Sequence, residues 1–275
     1  MNLVTKSAGL YEKADAATRV LIAIAGLPGS GKTTLASTVV RKLNERHHKE
    51  LGPGHPSLAD YTSYDPATIA QVVPLDGFHL TRAQLAAMPD PEEAAYRRGA
   101  PFTFDADKYH RLVKQLRDRI LPETSTIYAP SFDHAKKDPV EDDISILRSA
   151  RVVVFEGLYV AMDEKPWSDA AELMDEIWFV DVPFDVGVER LVVRNFAAGL
   201  SPSAEHARTR VMKSDMPNGQ YAVDRQLPVQ ETIRSLEDGS WNITETKESN
   251  EAKSEAAPPD RAGSIAELAA EGGGC

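Results

Sequence analysis

Cysteine is all but missing from this chain of 275 residues: the only one is Cys275, at the last position. An internal disulfide is excluded, and so is a cysteine-rich metal site. That thiol also lacks the three following residues of a prenylation box. No apolar run approaches the roughly 20 residues of a membrane span. Met1 to Ala17 is broken by Lys6, Glu12, Lys13 and Asp15, so no secretory leader is expected. Basic charge is in deficit, with 31 Lys and Arg against 42 Asp and Glu and a net charge of −11. That balance argues against nucleic acid or an anionic membrane as the main partner. What remains is an ordinary soluble composition, 42% hydrophobic and 27% charged, on a chain long enough for one large α/β domain with appendages. A cytoplasmic location is expected, and a homodimer is compatible with the composition.

Arg19 to Thr34 reads RVLIAIAGLPGSGKTT. Val20 to Ala25 is a short unbroken apolar run, as in a strand buried on both faces of a parallel sheet. Gly26-Leu27-Pro28-Gly29-Ser30-Gly31-Lys32-Thr33 then matches G-x-x-x-x-G-K-[ST]. Leu35, Ala36, Val39, Val40 and Leu43 follow at helical spacing. The chemistry explains the pattern. A triphosphate needs several backbone N–H groups converging on it, and glycines let those amides approach without a Cβ in the way. The helix opening at Lys32 and continuing through Thr34 adds its N-terminal dipole. Lys32 is placed to reach the β and γ phosphates, and the Thr33 hydroxyl to hold Mg²⁺. Chance produces the pattern in roughly one chain of this length in a hundred, before strand and helix are considered.

Further along, Gln71 to Leu75 reads as a strand followed at once by Asp76, Gly77, Phe78 and His79. A carboxylate at the carboxyl end of a strand lies on the ligand-binding edge of such a sheet. Phosphoryl transfer to an alcohol needs a group to orient the hydroxyl and take its proton. Asp76 is the candidate, with helix capping near Thr81 as the plainer alternative. His79 binds substrate or packs as a capping imidazole. In Arg97 to Asp105, Arg98 is placed to hold an acidic or phosphorylated group and Phe104 to line a pocket wall, unless the stretch is a solvated turn anchored by Phe102 and Phe104. Asp105 reads as the N-cap of a helix over Asp107 to Arg119. Thr126 to Tyr128 reads as a short strand and Ala129 to His134 as a loop pointing Asp133 and His134 into the cleft.

Arg151 to Phe155 is a third apolar strand, ending in Glu156, the place for a second magnesium-ordering carboxylate. Ile177 to Val180 is a fourth. Val186 to Ala198 reads as a helix carrying Arg190 and Arg194 four apart on one face. Those cations either close over the phosphates or make surface ion pairs. Ser203 to Lys213 reads as another helix, ended by a turn at Asp215 to Gly219. His47 to Pro66 reads as an exposed loop. Residues 1–18 form an N-terminal helix in this reading, 19–236 the main domain, and 237–275 an acidic tail too poor in apolar groups to order.

GLPGSGKTT, PLDGFHL, RRGAPFTFD, VVVFEGLY and the pair Asp181-Val182-Pro183 with Glu189-Arg190-Leu191 together resemble the P-loop small-molecule kinases related to uridine kinase, bacterial pantothenate kinase and phosphoribulokinase. Within that group the chain looks most like the ATP-dependent kinase-like proteins of fungi. The resemblance implies an α/β P-loop NTPase fold with a parallel sheet in the order 2-3-1-4-5 and helices on both faces. It implies ATP and Mg²⁺ as cofactors and γ-phosphate transfer to a small hydroxylated substrate. Lys32 and Thr33 match the family's phosphate loop, Asp76 its catalytic carboxylate and Glu156 its acidic strand end, while Arg190 and Arg194 fall in its lid. The family's pyrimidine- and pantothenate-contacting patterns are not evident, so the acceptor is left unnamed. An ATP-dependent switch and a partner-coupled ATPase are the rival readings.

Overall fold

Strand β1 (Val20–Gly26) accounts for its own composition. The computed structural model describes residues 3–51, 68–236 and 241–244, and in it every residue of β1 is buried. Leu21, Ala23 and Ala25 enter one core, while Val20, Ile22 and Ile24 enter another on the opposite face. Successive side chains of a strand point to opposite faces, so a strand covered on both sides is apolar at every position. The first core is completed by Tyr109, Leu112, Val113 and Leu116 of one helix. The second is completed by Leu35, Ala36, Val39, Val40 and Leu43 of another.

In chain order the strands after β1 are β2 (Ala70–Pro74), β3 (Ile127–Asp133), β4 (Asp138–Ile146), β5 (Val152–Glu156), β6 (Glu176–Asp181), β7 (Glu231–Ser235) and β8 (Trp241–Thr244). The main sheet runs β2-β5-β1-β6-β7-β8, and β3 with β4 forms a separate antiparallel hairpin. Its first five strands are mutually parallel, with β8 antiparallel on β7. Counted within this sheet the parallel strands stand in the expected order 2-3-1-4-5. Helices cover both faces: α1 (Leu3–Lys13), α2 (Lys32–Leu51), α3 (Arg82–Ala86), α4 (Pro91–Tyr96), α5 (Ala106–Arg117), α6 (Trp167–Ala171), α7 (Phe184–Ala197), α8 (Ala204–Arg210) and α9 (Met216–Asp224). Asp105 caps α5 as expected, its carboxylate accepting from the Lys108 N–H at 2.8 Å. No helix among the described residues is long and apolar enough to cross a membrane.

Several expectations change. Ala129 to His134 is largely strand: β3 continues to Asp133, with a register shift between Ala129 and Ser131 that seats Pro130 where its missing N–H costs no ladder bond. Asp215 to Gly219 is no turn. Pro217 lies in the first turn of α9, which follows without a break from a π-helical turn over Val211–Asp215 that joins it to α8. His47 to Leu51, expected as the start of a loop, belong to α2, and 52–67 lie outside the described residues. Trp241–Thr244, within the expected tail, is strand β8; 245–275 lie outside the described residues.

The turn that follows β2 is pinned by backbone contact. Leu75–Phe78 forms a 3₁₀ turn, and a Cβ added to Gly77 would lie 2.1 Å from the Pro130 carbonyl oxygen of β3. Neither main chain has room to move aside. Gly77→Ala is therefore expected to cost about 2 kcal/mol or more, a fall of about 4–8 °C in Tm for a domain of this size, read by differential scanning calorimetry. An unchanged Tm would show that the hairpin does not rest on this turn.

Candidate active site

The loop between β1 and α2 is held in a shape only glycine allows at two positions. Gly29 and Gly31 have φ of 78° and 86°, in the left-handed region that L side chains avoid. A Cβ on Gly29 would also lie 2.5 Å from the Gly187 carbonyl oxygen. Leu27 and Pro28 are half-buried and press against Gly219 of α9. Ser30 departs from the expected role in phosphate binding. Its N–H donates to the Leu27 carbonyl at 3.1 Å, and its buried hydroxyl, without a partner, sits against Gly26. Lys32, Thr33 and Thr34 open α2, where the first amides of a helix have no intrahelical acceptor and favour an anion.

Two acids flank this loop. Glu156 ends β5 in register with Ile24 of β1 and Pro74 of β2, and is only 5% exposed. The Thr33 hydroxyl donates to Glu156 Oε1 at 3.1 Å. Asp76 lies two residues past Pro74 with its side chain open to solvent. Burial lowers the Lys32 pKa, Glu156 and Asp76 oppose that shift, and Arg194 adds to it. Burial raises the Glu156 pKa, against Lys32 and the Thr33 hydrogen bond and with Asp76. Lys32, Asp76, Glu156 and Arg194 therefore share one electrostatic neighbourhood. Among the described residues there is no cluster of three or more His, Cys, Asp or Glu fit to hold a metal. The Thr33 hydroxyl and Glu156 carboxylate, both hard oxygen donors, fit Mg²⁺, which binds through one or two carboxylates with phosphates and water completing its shell.

Beside Asp76 stands an aromatic wall. The His79 ring lies on Phe104, centroids 3.9 Å apart, and 5.2 Å from Phe132 of β3. His79 Nδ1 lies 2.9 Å from the Asp76 carbonyl oxygen. Arg98 does not offer a free cation here: its guanidinium donates to the Leu80 carbonyl at 2.9 Å, to Asp138 at 3.1 Å and to the Lys137 carbonyl, leaving only a buried Nε without a partner. Arg98 braces the hairpin instead of awaiting an anion. Asp133 likewise turns out of the cleft, its carboxylate accepting from the Ala135 and Lys136 amides of the hairpin turn. His134 packs against Phe132.

The two arginines of α7 separate. Arg190 donates to Ser235 Oγ at 2.8 Å, to the Leu236 carbonyl, and at 3.4 Å to the Gly29 carbonyl. It braces the phosphate loop from the side of β7, correcting its expected role as a free charge over the phosphates. Arg194, one turn on, is exposed and is the cation that Lys32 senses. Sequence reasoning missed its companions. Asp215, at the end of the π-helical turn, has its pKa raised by burial and lowered by Arg210, Arg194 and a hydrogen bond from Asn195. Such turns are frequent at functional sites, yet no spacing in the sequence announces one.

The sequence pattern described as "Phosphoribulokinase / Uridine kinase family" matches residues 21–227. The chain belongs to this family. A relative in Aspergillus versicolor, named "ATP-dependent kinase-like protein notR'", is 49% identical over 167 residues, 61% of this chain and 95% of the relative. A Schizosaccharomyces pombe protein named as a candidate uridine kinase is 39% identical over 203 residues, 73% of this chain and 76% of its own. The crystal structure of YFH7 from Saccharomyces cerevisiae superposes with a TM-score of 0.72 at 23% identity, covering 84% of this chain and 97% of that one, a likeness of fold.

In this member of the family the two α7 arginines should part in a stability measurement. Arg190→Lys, losing planar hydrogen bonds to protein acceptors, is expected to lower the unfolding free energy by about 2 kcal/mol. Arg194→Ala, at an exposed position, should stay within about 0.5 kcal/mol. Urea midpoints read both, and equal losses would remove the distinction drawn between the two side chains.

Proposed function

We propose that this chain transfers the γ-phosphoryl group of ATP to a hydroxyl of a small metabolite. The observation that carries the reading is the placement of Lys32 at the end of the glycine-lined loop with the Glu156 and Asp76 charges both acting on it. A pure nucleotide switch has no need of the exposed second carboxylate. Phosphoryl transfer needs positioning and charge stabilisation more than covalent chemistry, and each group has a place in that scheme. The amides of Gly29, Gly31, Lys32, Thr33 and Thr34 and the Lys32 ammonium hold the phosphates. Thr33 and Glu156 would hold Mg²⁺, which would offset the negative charge of the phosphates. Asp76 orients the acceptor hydroxyl and takes its proton. Arg194, with Arg210 across Asp215, supplies positive charge from the lid. His79 and Phe104 line the acceptor side. The Schizosaccharomyces pombe relative's name supports a nucleoside as one acceptor to try first.

Lys32→Ala is expected to abolish ATP turnover. Asp76→Asn should retain nucleotide affinity, read by a fluorescent ATP analogue, while transfer falls by about 100- to 10,000-fold. Wild-type protein incubated with γ-labelled ATP and a metabolite extract should yield a labelled small molecule. Labelled inorganic phosphate alone would identify an ATPase, and retained transfer by Asp76→Asn would end the role given to that carboxylate.

A further inference from the structure

The hydrogen bond between His79 Nδ1 and the Asp76 main-chain oxygen, at 2.9 Å, settles which ring nitrogen carries the hydrogen. A carbonyl oxygen only accepts, so Nδ1 is the N–H. Burial lowers the His79 pKa, helped by Arg98 and His134 and opposed by Asp76, which keeps the ring neutral at pH 7. A neutral ring protonated on Nδ1 carries a lone pair on Nε2. No hydrogen bond reaches Nε2 among the described residues. The ring itself is held, stacked on Phe104 at 3.9 Å and near Phe132 at 5.2 Å, with its side chain 12% exposed. The neighbouring cation, Arg98, is already committed to Leu80, Lys137 and Asp138. The wall next to Asp76 therefore presents an acceptor atom between ring faces.

We propose that His79 Nε2 accepts a hydrogen bond from a second donor of the phosphate acceptor, so that the acceptor is neutral at that end and carries a hydroxyl or N–H beside the hydroxyl aimed at Asp76. This rests on the kinase reading above. A carboxylate, phosphate or carbonyl set at the same point meets a lone pair and is refused, because one acceptor enclosed against another leaves both unsatisfied. Asp76 repels an anion from the same side. The selection falls on polyols and on compounds with a flat N–H-bearing ring, which the faces of Phe104 and Phe132 accommodate. It falls against hydroxy acids and sugar phosphates bound with their charge on this wall.

Two measurements decide it separately from the kinase question. In the full chain labelled with ¹⁵N-histidine, with His79→Gln for assignment, long-range ¹H–¹⁵N spectra at pH 7 should show Nδ1 protonated and Nε2 bare. An Nε2-protonated or doubly protonated ring overturns the proposal whatever the enzyme does. Kinetics then use the compound that the labelled-ATP screen identifies, with uridine, glycerol and D-glycerate as set probes. A neutral, donor-bearing compound is expected. His79→Gln, which restores an oxygen acceptor, should exceed His79→Lys, which offers only donors, by at least about tenfold in kcat/KM, the difference lying mostly in KM. Equal losses in the two variants, or preferred transfer to D-glycerate, overturn the proposal. No labelled acceptor at all, with the ring tautomer as described, overturns the kinase reading and the acceptor claim with it.

Discussion

One hydrogen-bonded register holds the site together. β5 lies between β2 and β1, and Glu156 stands level with Pro74 on one side and Ile24 on the other. Parallel strands are about 4.8 Å apart and advance about 3.3 Å per residue. The turn bearing Asp76 and the loop ending in Lys32 therefore leave the sheet on either side of Glu156, at one edge and at one height. A shift of β5 by a single residue would send Glu156 to the other face and its core neighbours Val153 and Phe155 out of theirs. The apolar cores on both faces forbid that shift. Hydrophobic packing far below the site is thus what fixes the spacing of its charges.

Those charges are arranged to wait for partners. Glu156 is buried with one hydroxyl donor and a lysine nearby, and burial still drives its pKa up; Lys32, among two carboxylates and an arginine, is still driven down. Each group is poorly matched without additional counter-charge, since desolvation outweighs the attraction between them. Phosphates would satisfy Lys32 and the arginine, and a divalent cation would satisfy Glu156. Burying charge in this way costs stability in the resting protein and gives selectivity for a ligand that brings both signs.

Much of this was legible because it depends on local order along the chain. A buried strand, a glycine loop and a helix in sequence need no long-range information, and the strand-end positions of Asp76 and Glu156 follow from short apolar runs. The i, i+4 spacing of Arg190 and Arg194 was legible too, but its meaning was not. Arg190 meets Ser235 and Leu236 at the far end of the chain, and only tertiary pairing of β7 with β6 brings them there. The partners of Arg98 were not legible for the same reason: its acceptors Lys137 and Asp138 lie in a hairpin whose strand pattern is interrupted by Pro130. Asp133 behaved as local chemistry dictates, since aspartate readily accepts from amides two and three residues on. Asp215 gave no sign, because a π-helical turn has no residue code of its own.

Helices α7 to α9 form a unit with a core of their own. Val188, Leu191 and Val192 of α7 pack with Ala207, Val211 and Met216, apart from both sheet cores. This unit touches the phosphate loop at glycines: Gly187 against the Gly29 backbone, and Gly219 against the side chains of Leu27 and Pro28. Arg190 adds a charged hydrogen bond to the Gly29 carbonyl. At Gly29 and Gly187 backbone meets backbone with no room for a Cβ, so neither element shifts there without moving the other. Any rearrangement of the loop around phosphates is therefore felt directly by α7 and α9, the helices that flank Arg194, Arg210 and Asp215. Asp215, drawn by both guanidinium groups and bonded to Asn195, holds Arg194 and Arg210 in one electrostatic cluster beside these contacts.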